Sequence, residues 1–149
     1  MYHEVVDEAS ETASDGPTVV DPNTLLAAFE RLLSEAVDEA GRDRIVADTT
    51  LDAAAIERVA VGTVGDITVS AGATVLATVH DADAETILME LRDHLLMGMT
   101  IAVLDVDAIA RAIDADLTGQ EVQQVLEGRA ELTIEQLAEI MAVIESRKQ

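Results

Sequence analysis

Two threonines fifteen residues apart, each followed three residues later by Glu or Gln, dictate much of what this chain can fold into. Thr118-Gly119-Gln120-Glu121 and Thr133-Ile134-Glu135-Gln136 both fit the capping box. In that motif the threonine oxygen accepts from the backbone N–H three residues on, and the Glu or Gln side chain accepts from the threonine's own N–H. Each box opens a helix and forbids a strand through the same residues. Val122, Val125 and Leu126 then fall at i, i+3 and i+4, which makes one apolar face. Gly119, Gln120, Gln123, Gln124 and Glu127 point the other way. Gly128 ends that helix, because the residue past a helix C-terminus commonly needs positive φ. The second box opens a helix with Leu137, Ile140, Met141 and Ile144 inward.

Other boundaries follow upstream. Asp21-Pro22 reads as an N-cap followed by proline at the first helical position. Leu25, Leu26, Phe29, Leu32, Leu33, Ala36 and Val37 form a stripe at helical spacing, and Gly41 ends it. Asp83 caps a helix carrying Ile87, Leu88, Leu91, Leu95 and Leu96, which runs through Met97-Gly98-Met99 toward Leu104. Gly98 there costs roughly 1 kcal/mol against alanine, so it marks either a close approach of another helix or a kink. Asp105 or Asp107 caps a helix holding Ile109, Ala110 and Ile113.

Residues 43–80 align with the C-terminal stretch. Leu51 meets Leu117, Ile56 meets Val122, Val59 meets Val125 and Gly62 meets Gly128. After a one-residue insertion at Gly65, Ile67-Thr68-Val69 meets Leu132-Thr133-Ile134, and Ala73 and Ala77 meet Ala138 and Ala142. Read alone, 66–80 is rich in β-branched residues and suggests a hairpin, and 100–106 carries the same ambiguity. The repeat favours helix. The expected fold is all-α: two tandem, degenerate helix-turn-helix-like units, 21–81 and 82–149, packed together behind a flexible acidic tail, 1–20.

The chain has 149 residues and a formal net charge of −21 from 30 acidic and 9 basic residues. A disordered acidic chain would be poor in apolar residues, yet 49% of this one is hydrophobic, enough for a core. High acidity, an apolar core and a single lysine, Lys148, suit a cytoplasmic protein of a cell that accumulates salt. Without cysteine, thiol catalysis, disulfides and cysteine-ligated zinc are excluded. Residues 1–16 lack the basic and apolar regions of a signal peptide, and the apolar run 95–104 is about half the length that spans a bilayer. No membrane role is expected.

Enzymatic chemistry finds little support. His3 lies in the tail. His80-Asp81-Ala82-Asp83 reads as a solvated helix start rather than a metal site, and His94 as a satisfied histidine near an apolar face. No Gly-rich phosphate loop, nucleophile elbow or zinc-protease helix is present. The expectation is a protein without catalytic residues, metal or cofactor.

Ile109-Ala110, a tight turn, a helix ending Val125-Leu126-Glu127-Gly128-Arg129 and a Thr-capped helix together resemble the phage-repressor and Cro type of helix-turn-helix. The resemblance covers about 40 residues and implies that the helix opening at Thr118 is a recognition helix. Gln120, Gln123 and Gln124 on its outer face could pair with adenine in the major groove. Thr118 and Gly119 would lie at its leading end, with Arg111 and Arg129 on phosphates. The rest of the surface argues against a polyanion partner, since it has no basic patch. In a salt-rich cytoplasm the Debye length falls below about 3 Å, which removes both the repulsion and the counterion-release gain. The leading expectation is therefore a DNA-binding regulator acting through the C-terminal unit. Its rival is an interaction or adaptor protein on a scaffold that has lost DNA binding. In that rival, Leu95, Leu96, Met97 and Met99 form the interface with a second copy or another protein. Leu91-Arg-Asp-His-Leu-Leu-Met-Gly-Met-Thr and Asp114-Ala-Asp-Leu-Thr-Gly-Gln-Glu-Val-Gln-Gln also resemble a haloarchaeal family of uncharacterised function. That resemblance implies a halophilic source and no particular activity.

Overall fold

A computed structural model describes residues 21–114 and 116–148. The tail expected over 1–20 lies outside them. The described residues form eight helices: α1 Pro22–Ala40, α2 Arg42–Asp48, α3 Ala53–Ala60, α4 Val69–Ala77, α5 Ala84–Ala102, α6 Val106–Ala112, α7 Gly119–Leu126 and α8 Ile134–Arg147. The protein is all-α. The β-branched segments 66–80 and 100–106 are not strands. Residues 69–77 are helical, and 100–102 complete α5 before a turn leads into α6.

Side-chain caps set most of these boundaries. Asp21 accepts from the N–H groups of Asn23 and Thr24, Asp52 from Ala55, Thr68 from Ala71, Asp83 from Thr86 and Asp105 from Ala108. Thr118 and Thr133 form both bonds of their capping boxes. Each such cap satisfies an orphan donor and is worth about 1 kcal/mol. The C-termini of α3 and α7 close identically. The N–H groups of Thr63 and Arg129 reach back to Arg58 and Gln124 at 2.9 and 2.8 Å. Those of Gly62 and Gly128 bond Val59 and Val125 at 3.1 and 3.0 Å. This is the Schellman pattern, and both glycines take the positive φ it requires, 83° and 77°.

The helices interleave instead of forming two separate bundles. α1 packs against α8, and α4 against α5, while α4 and α8 also touch. Between the starts of α4 and α8 lies a single antiparallel bridge, Thr68 to Thr133. The Val69 N–H donates to Leu132 O at 2.8 Å, and the Ile134 N–H donates to Ile67 O at 2.9 Å. The core around this bridge is wholly apolar: Leu25, Phe29, Leu33, Ile45, Ile56, Leu76, Ile87, Ile109, Ile134, Leu137 and Ile140 are fully buried. No polar or charged residue is buried among the described residues.

Helix α5 departs from local preference at two points. It ends on Val103 in the left-handed region, φ 56° and ψ 50°. A β-branched residue there is a true outlier and stores on the order of 1–3 kcal/mol of strain. Gly98 sits where α8 comes closest. A Cβ at this position would lie 2.7 Å from Ile144 Cγ2, so the glycine marks a close helix approach. Alanine would gain about 1 kcal/mol of helix propensity, but overpacking of this kind costs about 1–3 kcal/mol. Gly98→Ala is therefore expected to lower stability by about 1 kcal/mol. Urea unfolding followed by circular dichroism at fixed KCl checks this, and an unchanged or raised midpoint would show that α8 does not press on α5.

Candidate nucleic-acid and partner interfaces

The capping box sets the start of α7, whose Val122 and Leu126 are buried beneath it. Gln120 and Gln123 are exposed and Gln124 half-buried. The side chains of Gln120 and Gln124 have no hydrogen bond among the described residues, whereas the Gln123 amide donates to Glu127 Oε1 at 2.8 Å. Arg129 pairs with the other oxygen of Glu127. The Gln123 hydrogen bond, reinforced by Arg129, holds the exposed Glu127 carboxyl below its ordinary value. Arg129 was expected on a phosphate, but it is already engaged by a carboxylate of its own turn.

The leading end of α7 is likewise taken. A Cβ on Gly119 would collide with the Asp107 carboxylate and lie 3.4 Å from Asp107 Cα. The Asp107 side chain is therefore packed directly against Gly119. Asp107 places a carboxylate over the helix N-terminus, where a phosphate would otherwise find the positive end of the dipole. Next to it opens an acidic cleft of about 320 Å³ lined by Asp114, Asp116, Glu135 and Glu139 with Thr133 and Gln136. The Asp114 N–H donates to Glu139 at 3.2 Å. Arg111, at the end of α6, is exposed, with no ion pair or hydrogen bond among the described residues. The structure thus places Thr118, Gly119, Gln120 and Gln124 at and along α7 with the Asp107 carboxylate at its start, and Arg111 on α6. Asp107 lies on α6 and the carboxylates of the cleft lie between α6 and α7 and on α8, so helical periodicity within α7 gave no sign of them.

The four apolar residues expected at an interface separate. Leu95 and Met99 face the core, 2% and 8% exposed, and are not available to a partner. The α-helical period turns Leu96 and Met97 outward, with Met97 65% exposed. Met89, Ile101 and Val103 join them on the surface of α5, Val103 at 89%. Reading the run as one patch missed this division, which the 3.6-residue period already contained. The inner side of α5 also carries His94, whose Nε2 lies 3.9 Å from Glu145 Oε1.

The chain from residue 25 to 147 matches the model of a family of unknown function, DUF5791. The chain belongs to DUF5791. No curated protein matches it, and no solved structure does. Among its described residues no group of three His, Cys, Asp or Glu side chains is placed to hold a metal ion. No described helix is long and apolar enough to cross a membrane.

Proposed function

We propose that this DUF5791 member is a non-enzymatic interaction protein that pairs with a second copy of itself through the outer face of α5. The observation that carries the reading is the exposed apolar stripe Met89, Leu96, Met97, Ile101 and Val103. It lies largely within residues 94–104, which hold no charged side chain apart from His94 when protonated, in a chain otherwise dense with charge. Exposed apolar surface of this kind marks association sites. The five side chains expose on the order of 500 Å² per copy, so facing stripes cover roughly 1,000 Å², the lower bound for a specific interface. A two-fold arrangement sets the patch against itself and asks for no complementary charge. Asp93 interrupts the stripe between Met89 and Met97, so salt that screens it favours pairing. Acidity and the near absence of lysine support a cytoplasmic, halophilic setting.

The expected measurement is sedimentation at ~0.15 M and at molar KCl, for wild type and Met97→Glu/Ile101→Glu. Wild type is expected to dimerise more strongly at molar KCl, and the folded variant to stay monomeric. A wild type that remains monomeric at both salts removes the pairing.

We also infer that the two sets of four helices are copies of one unit, related by an approximate two-fold axis through the Thr68–Thr133 bridge. Support comes from the shared helix order, the two reciprocal bridge bonds, the matching closures at Gly62 and Gly128, and the reciprocal packing of α1 on α8 and α5 on α4. An experimental structure should superpose 52–79 on 118–144 with Gly65 as the insertion. A different relative placement of α3 and α4 from that of α7 and α8 would refute the repeat.

A second reading, a DNA-binding regulator using α7, is favoured by the exposed, unbonded Gln120 amide alone. Recovery of genomic fragments at molar KCl tests it. A few enriched sites, lost in Gln120→Ala/Gln124→Ala, would establish it, and an absence of enrichment would leave α5 pairing as the function.

A further inference from the structure

Arg92 stands apart among the cations of the described residues: like Arg111 it is unpaired, but unlike the exposed Arg111 it is half-buried. Arg42, Arg44, Arg58, Arg129 and Lys148 each pair with a carboxylate. Arg92 is half-buried on α5 and has no ion pair and no hydrogen bond among the described residues, in an acidic chain. Removing a guanidinium partly from water without a partner is costly, so its position calls for an explanation. Its guanidinium lies against Gly128, where a Cβ would stand 3.2 Å from Cζ and from Nη1. The glycine that closes α7 thus also leaves room for the Arg92 head.

The same head lines a pocket of about 100 Å³ between α4, α5 and the chain joining α7 to α8. Its walls are Leu91, Leu95, Val125 and Leu132, apolar and mostly buried. Glu131 also lines it, but its Oε1 accepts from Ser70 Oγ at 3.0 Å and does not pair with Arg92. The pocket therefore offers an apolar slot, one unpaired cation at one position and one carboxylate fixed at another.

We propose that this pocket binds a small organic monoanion, a carboxylate with a short apolar body, whose head is held by Arg92. A guanidinium fork matches a carboxylate in two-point fashion. The apolar body replaces water along Leu91, Leu95, Val125 and Leu132. At about 100 Å³, against about 150 Å³ for a cavity that takes the six carbons of benzene, the volume limits that body to about four carbons. Glu131 repels a second negative charge, so monocarboxylates are selected over dicarboxylates. Because Val125 and Gly128 belong to the last turn and closure of α7, an occupant bears directly on that helix. The proposal stands independently of α5 pairing.

The test uses sodium pentanoate as the probe, titrated into the isotope-labelled full chain at constant ionic strength while the amide resonances of Ser70, Gly128 and Glu131 are followed. Glutarate and pentylamine serve as the dianionic and cationic comparisons. Saturable shifts confined to these amides are expected with pentanoate, with weaker binding of both comparisons. Arg92→Met is expected to weaken pentanoate at least about tenfold, the loss of one charged hydrogen-bonded contact. Arg92→Lys keeps the charge and should retain part of the binding, which separates anion recognition from a change of shape. Pentanoate shifts that never saturate, that survive Arg92→Met, or that pentylamine reproduces would each overturn the proposal.

Discussion

A pair of backbone hydrogen bonds, Val69 to Leu132 and Ile134 to Ile67, holds the centre of this protein by cross-linking the segments that start α4 and α8, with a third bond from the Glu135 N–H to Gly65 O beside them. Each segment is also the N-cap region of its helix, with Thr68 and Thr133 bonded to the N–H groups of Ala71 and Gln136. The starting points and directions of two core helices are thereby set together. Once they are set, α1 must lie on α8 and α5 on α4, because those faces carry the remaining large apolar side chains. A buried backbone donor must find a partner, and here the first N–H of each of two helices is satisfied by a carbonyl just before the other helix. Slipping either segment by one residue would unmake both bonds and turn Ile67 or Ile134 away from the core.

How much of this could be read from the residues depends on the range of the interaction. Asp21, Asp83, Thr118, Thr133, Gly41 and Gly128 act within one helical turn, and their chemistry is written in their neighbours. The β-branched run Val69–Val79 misleads for the opposite reason. Its residues fit a strand locally, but burial of Val69, Ala73, Val75 and Leu76 on one helix outweighs a propensity difference of about 1 kcal/mol per residue at most. The fate of Arg129 was not visible in the same way. Although Glu127 is two residues away, which rotamer captures the guanidinium depends on the turn that Gly128 allows. Least legible were Asp107 over α7 and Arg92 beside Gly128, since each joins residues from different helices.

The electrostatic surface follows a consistent division. Carboxylates occupy helix starts, where Asp83 illustrates the gain: the hydrogen bonds from Thr86 hold its carboxyl below the ordinary value. Most cations near them are spent on local pairs that, being exposed, contribute little to stability. What remains is a core with no buried polar residue among the described ones. Shape, the caps and the Thr68–Thr133 bridge therefore define its register. Salt acts on the outside of such a molecule and leaves its interior unchanged.

The contact of Ile144 with Gly98 has a consequence for the opposite side of α5. The close approach of α8 braces the helix from behind at the level of Leu96 and Met97. The backbone carrying those side chains is thus already ordered before anything meets it. Association normally loses part of its free energy to freezing the surfaces that join. Here that entropic loss falls on side-chain rotamers alone, and chiefly on those of methionine, which adapts its shape to an irregular surface. For the pairing proposed above, a rigid rod tipped with pliant side chains combines a defined docking direction with tolerance of the surface it meets.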